Sequence, residues 1–223
     1  LFFPCEGGQT CDQGSLNDIP VIDVQIQNDT IHHYTNQPLD GVVYGKIDWF
    51  HRYNNMQNHT GEHILSGIIH TYYHVENVGF HLGYHEITTD YAATFTPSQI
   101  QNIEEKVNQV ILDNKKVKAY YLKEYSHIQY RAKLDLEKPR LVEIEGVDLC
   151  ACCAPHVHNT SEVGLFKIIK TTKIKKGTRF YFLCGHLAYQ DYVLKHDQTT
   201  EISNLLSSPI DKISLSTNRL LQE

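Results

Sequence analysis

The chain has 223 residues, of which 41% are hydrophobic and 21% charged, and a formal net charge of −6. That length can bury one large core or two small ones, and the acidic balance argues against a general nucleic-acid coat protein, which would be basic overall. No apolar run approaches the roughly 20 residues of a membrane span, and no basic segment leads an apolar one at the start, so neither an anchor nor a secretion signal is visible.

Leu1-Phe2-Phe3 reads as a strand already under way, and residues are expected to precede Leu1. Residues 1–50 have the character of a small all-β unit. Strands are predicted at 21–26 and 41–48, with turns at Asn28-Asp29 and at 36–38. Glu6-Gly7-Gly8-Gln9 is a glycine-rich loop, but no Gly-Lys-Ser/Thr follows, so it is not a phosphate-binding loop. The hydrophobic period then changes from two to that of a helix, predicted from 55 to about 73.

A strand is expected at 87–95. Thr96-Pro97-Ser98-Gln99 carries a capping box with proline at the first helical position, and Ile100, Ile103, Val107 and Val110 continue an amphipathic helix to about Asn114. Strands at 117–122, 141–144, 165–172 and 179–184 follow, the last two joined by a turn at 175–177. Helices at 187–206 and 210–223 are separated by Pro209. Two basic stretches stand out: Lys115, Lys116, Lys118 and Lys123, and the run from Lys167 to Arg179 that includes Lys170, Lys173, Lys175 and Lys176. Each is also compatible with an ordinary solvated strand edge.

The chemistry concentrates in two places. In His59-Thr60-Gly61-Glu62-His63 the histidines stand at i and i+4, so on a helix both imidazoles share one face and can share one metal ion. Ile64, Leu65, Ile68 and Ile69 supply an apolar stripe to hold that helix in a core. Alone the pair is weak evidence, because a chain with 14 histidines yields such pairs by chance. Far downstream, Cys150-Ala151-Cys152-Cys153-Ala154-Pro155-His156 places Cys152 and His156 at C-x-x-x-H spacing. Together the two halves offer four N/S ligands, the complement of a tetrahedral zinc site. Cys150 and Cys153 are competing sulfurs that spacing does not eliminate. Crowded cysteines without a secretion signal point to thiolate–metal chemistry in a reducing compartment.

His59-x-x-x-His63 with Cys152-x-x-x-His156 resembles the editing domain of alanyl-tRNA synthetases and the free-standing alanyl-tRNA editing proteins of the AlaX family. Phe2-Phe3-Pro4-Cys5-Glu6-Gly7-Gly8-Gln9 with Asp12-x-Gly14 resembles that family's Gly-Gly-Gln loop. Ile47-Asp48 with Arg52, and His156-Val157-x-Asn159-Thr160-x-Glu162-Val163-Gly164, agree in order. The likeness covers nearly the whole chain. One departure is Cys-Cys-Ala-Pro-His where the family has Cys-Gly-Gly-Thr-His, since Pro155 removes a backbone N–H that could face a substrate oxyanion.

The resemblance implies an α+β fold with a barrel-like subdomain at 1–50, an α/β editing domain of the alanyl/threonyl-tRNA synthetase type at 51–185, and a C-terminal helical extension at 186–223 leading to a further domain. It implies a cytoplasmic, ATP-independent deacylase that hydrolyses the ester of mischarged alanine tRNA, seryl or glycyl, with Zn2+ on His59, His63, Cys152 and His156. An alanine pocket rejects serine by only about 10²-fold, which is why a second, hydrolytic site serves translation fidelity. Gln9, Asn77 and His81 are candidates for substrate contact, and Lys175 and Lys176 for the tRNA acceptor end. The C-terminal helices suggest a homodimer. Glu62 is a candidate base, or a salt-bridged surface residue. It also completes H-x-x-E-H, so a zinc peptidase is a rival reading, as is a non-enzymatic RNA-binding module stapled by zinc.

Overall fold

The structure, a computed structural model, describes residues 1–84, 86–121, 128–131 and 139–222. Two compact units are distinguished, Leu1–Gly185 and His186–Glu223.

The first unit opens on an antiparallel sheet of β1 (Gly14–Leu16), β2 (Ile19–Gln27), β3 (Thr30–Thr35) and β4 (Gly45–Ile47), in the order β3-β2-β1-β4. Phe2, Cys11, Val21 and Val24 are buried beside it, with Leu16 and Ile47 packed against them. Asn28 and Asn17 begin turns in which two successive residues take positive φ, so β2–β3 and β1–β2 are tight hairpins. The strand predicted at 41–48 shortens to three residues. Asn17 captures the chain instead, its side chain accepting from Tyr44 N at 2.8 Å, and Val42, Val43 and Tyr44 are exposed. Asp48 leaves the strand to cap the next helix, its carboxylate accepting from His51 N.

That helix, α1 (Trp49–Tyr73), therefore begins earlier than its apolar stripe suggested. It is buried all round from Asn54 to Ile69, including Asn58, His59, Thr60, Glu62 and His63, so it runs through the interior as a polar rod. Its neighbours are α2 (Pro97–Leu112), β5 (Asn77–Leu82), β9 (Asp148–Ala151) and β11 (Gly177–Cys184). Gly61 allows the closest approach, since a Cβ there would lie 2.3 Å from Cys184 Sγ. Asn58 Oδ1 accepts from Cys184 N at 2.8 Å, tying the polar rod to the strand end beside it.

A second antiparallel sheet runs β10-β11-β6-β5, with β6 at Ile87–Tyr91 and β10 at Phe166–Ile174. β6 stops before the predicted 95 because the chain bends to give Ala93 O to Thr178 Oγ1. A third sheet, β7-β8-β9, joins β7 (Val117–Tyr121) and β8 (Arg140–Ile144) to β9. Leu122 and Lys123 lie outside the described residues. The α2 capping box forms as its sequence dictates, and Ile103, Val107, Val110 and Ile111 are buried. The second unit holds α3 (Gly185–Leu205) and α4 (Ile213–Leu220). The helix predicted at 210–223 opens instead as a 3-10 turn, Ile210–Lys212, after Pro209.

Candidate metal centre

The interior helix and the end of β9 bring His59, His63, Cys152 and His156 into one cluster, their ligand atoms all within 4.8 Å of one another. Cys152 Sγ lies 3.5 Å from His59 Nε2 and 3.3 Å from His156 Nε2. Two ligands at zinc–sulfur and zinc–nitrogen distances, at a tetrahedral angle, stand ~3.6 Å apart. Three imidazole nitrogens and one sulfur at this spacing thus fit a tetrahedrally coordinated cation.

Each imidazole is oriented by its second nitrogen, as metal-ligating histidines require. His59 Nδ1–H donates to Gln9 Oε1 at 2.7 Å, His63 Nδ1–H donates to Asp148 Oδ2 at 3.0 Å, and His156 Nδ1 meets the Thr60 hydroxyl at 3.0 Å. Asp148 is held in turn by Arg131, whose Nε and Nη2 donate to its two oxygens at 2.6 and 2.8 Å. Arg140 Nη1 donates to the carbonyls of Cys152 and Ala154, fixing the loop that contains Pro155.

The electrostatics fit a site that exchanges protons for a cation. Burial would raise the Cys152 thiol, but His59, His156 and His63 hold it well below its ordinary value. Burial opposes a charge on His63, and Asp148 and Cys152 outweigh it, raising the imidazole well above 6.5. His156, buried and facing the other histidines, is pushed down to about 3. Asp148 stays below the usual carboxylate range despite burial because His63 and Arg131 donate to it. The other two sulfurs are placed elsewhere. Cys150 groups with His63 and Asp148, and Cys153 Sγ faces the Gly7 position.

The remaining candidates are placed as follows. The Gly7-Gly8-Gln9 loop docks on the edge of β5, with Leu82 N donating to Gly8 O and Thr10 N to Leu82 O. Gly8 has φ +81°, and a Cβ there would fall 2.8 Å from Phe80 O, so glycine is required for the docking that lays Gln9 on His59. Glu62 is buried beside the cluster. Its Oε1 accepts from Ser66 Oγ and Asn77 Nδ2, both at 2.5 Å, and Ser66 also bonds Tyr91 OH. Asn77 is therefore brought to Glu62. His81 is exposed on β5, at the rim of a pocket of about 410 Å³ with Thr10, Tyr84 and Glu86. Lys175 and Lys176 are the exposed two-residue turn between β10 and β11. Upstream of that turn, Lys167 pairs with Glu104 at 2.7 Å, and downstream of it Arg179 pairs with Asp90 at 2.7 Å.

Sequence reasoning missed Thr60, Asp148, Arg131 and Arg140. Thr60 and Asp148 adjoin the two ligand pairs in the chain, which was a usable signal, whereas the arginines had none.

The family model described as the threonyl and alanyl tRNA synthetase second additional domain matches residues 140–180, spanning both Cys152 and His156. The alanine–tRNA ligase of Ignicoccus hospitalis is 35% identical over 225 residues, covering 93% of this chain and 25% of the ligase. The alanyl-tRNA editing protein Aarsd1 of Mus musculus is 30% identical and that of Bos taurus 33%, covering 95% and 83% of this chain. Together these findings support an AlaX-like alanyl-tRNA editing protein. It spans about half the length of these editing proteins, 54% of the mouse and 44% of the bovine relative. No helix among the described residues is long and apolar enough to cross a membrane.

Proposed function

We propose that the protein acts in trans to hydrolyse the aminoacyl ester of mischarged alanine tRNA, seryl first and glycyl second, at a Zn2+ held by His59, His63, Cys152 and His156. The observation that carries this reading is the convergence of those four side chains beside the docked Gly7-Gly8-Gln9 loop. When bound, zinc polarises an ester carbonyl or lowers the pKa of a bound water to roughly 7. The chain's own groups do the rest. Asp148, Thr60 and Gln9 hold the three imidazoles in the tautomer that presents Nε2 inward. Gln9 Nε2 is buried with no partner among the described residues, leaving a donor for a substrate oxygen. Asn77 and Glu62 form the polar pair proposed to sense the serine hydroxyl or to move a proton, with His81 at the outer rim.

The exposed Lys175–Lys176 turn is the proposed contact for the tRNA acceptor end. Exposed Leu194, Ile202, Leu215 and Leu220 support a homodimer through the C-terminal helices. The proposed organisation is a barrel-like subdomain over 1–50, an editing domain over 51–185 and a helical extension over 186–223, in a cytoplasmic, ATP-independent enzyme of translation fidelity. Against the peptidase reading stands Glu62, whose Oε1 is taken by Ser66 and Asn77 while Cys152 and His156 complete the donor set.

Deacylation of seryl-, glycyl- and alanyl-tRNA, with and without chelator, tests the proposal. Release of serine with alanyl ester spared, abolished by chelator and restored by Zn2+, is the expected result. No hydrolysis of any ester by the zinc-loaded protein overturns it. Unfolding on chelation without prior activity would make the metal a staple.

A further inference from the structure

Two of the cysteines outside the histidine cluster converge. Cys5 and Cys11 bracket the Gly7-Gly8-Gln9 loop, and both sulfurs converge on one carboxylate oxygen of Asp23 on β2. Cys11 Sγ lies 3.5 Å and Cys5 Sγ 3.9 Å from Asp23 Oδ1. A thiolate and a carboxylate oxygen bound tetrahedrally to one d10 cation stand ~3.6 Å apart. We propose that Cys5, Cys11 and Asp23 form a second metal site, selective for a thiophilic divalent cation such as Zn2+ or Cd2+, with solvent as the fourth ligand.

The surroundings are those of a ligand set. Cys11 N–H donates to Cys5 Sγ at 3.1 Å, which draws the two ends of the loop together at one sulfur. Asp23 Oδ2 accepts from Gln25 Nε2 at 2.7 Å and Oδ1 accepts from Val24 N at 2.8 Å, which together fix the carboxylate with Oδ1 facing the sulfurs. Cys11 is buried and Cys5 exposed, so the cluster is anchored on one side and open to solvent on the other. Two sulfurs with one oxygen select a soft or borderline cation over Mg2+ or Ca2+. Binding exchanges two thiol protons for the cation, with no change in oxidation state.

The location gives the site a purpose. Cys5 N donates to Val24 O on β2, and the residue after Cys11 is Asp12, whose carboxylate is buried against Arg52 of α1. A cation joining both feet of the loop to β2 holds in place the segment that lays Gln9 on His59. The site stands whether or not the histidine cluster hydrolyses an ester.

The test is reconstitution of the reduced full chain with Co2+, reading bound equivalents and the thiolate-to-cobalt charge-transfer band. Wild type is expected to bind two equivalents, with Cys5→Ser/Cys11→Ser binding one and losing about two-thirds of the band, because one of three thiolates remains. Asp23→Asn, which keeps both sulfurs, is expected to weaken the second equivalent at least ~10-fold. Cys152→Ser serves as the separate control, removing about one-third of the band while the Cys5/Cys11 contribution persists. Equal stoichiometry and equal band intensity in wild type and the Cys5/Cys11 variant overturn the site. So does recovery of the two cysteines as a disulfide that Zn2+ does not prevent.

Discussion

Replacing Asp148 by Asn keeps the shape of the side chain and removes the charge that His63 and Arg131 both use. The carboxylate is 2% exposed and receives three hydrogen bonds, at 2.6, 2.8 and 3.0 Å. Removing one partner of a buried ion pair costs about 3–5 kcal/mol, because the other charge is left uncompensated. The amide retains one acceptor, so the lower end, about 3 kcal/mol, is expected for the metal-free protein. Its amide N–H2 also points a donor at either Arg131 or His63. If it meets His63, the ring loses the partner that presents Nε2 to the cluster, and metal affinity should fall about 10–100-fold. Urea unfolding after chelation gives the first quantity, and competition against a chromophoric chelator gives the second. Pairing the change with Arg131→Met in a double-mutant cycle should show strong coupling, since without Arg131 the buried charge is no longer stranded. A stability change under about 0.5 kcal/mol together with unchanged metal affinity would refute the view that Asp148 organises this side of the site.

Gly8→Ala should cost about 1–2 kcal/mol from the positive φ alone, plus the clash with Phe80 O, and should raise KM by displacing Gln9; limited proteolysis within the loop and deacylation kinetics read both effects. Thr96→Ala removes the α2 cap and should cost about 0.5–2 kcal/mol in urea unfolding, with deacylation unaffected. Lys175→Glu with Lys176→Glu should weaken tRNA binding and flatten its salt dependence, and equal affinities at low salt would remove that turn from the interface. In the metal-free protein His156 is pushed down to about 3, whereas the unfolded chain protonates it near 6.5. Between those values the unfolded state holds the extra proton, so stability is lost as pH falls, by about 1.4 kcal/mol per pH unit. His63, raised above 6.5, is protonated in both states there and adds no slope. His156→Asn should flatten the stability curve between pH ~6 and ~5, and equal slopes for the two proteins would show that the ring is not buried in neutral form.

What could be read from the sequence was local, and what could not was a matter of partners. His59–His63 and Cys152–His156 are each one helical turn or one loop apart, so spacing alone exposes them. The α2 capping box is similarly self-contained. The identity of the fourth ligand among three nearby sulfurs depended on where β9 ends relative to α1, which no window of sequence contains. β3 was missed because Thr30–Thr35 is polar, with His32 and His33 in its middle, although the Asn28-Asp29 turn before it was legible. Val42-Val43-Tyr44 misled in the opposite sense, since strand composition lost to capture by Asn17. The deepest discrepancy lies in α1. Asn55, Asn58, Thr60 and Glu62 are polar yet buried, because Thr10, Cys184 N, His156 and Asn77 supply their hydrogen-bond partners from distant segments. A helix that polar is stable inside a protein only when its groups are satisfied by distant segments. Long-range bonds of the same kind, from Gln9 and Asp148, fix its histidines.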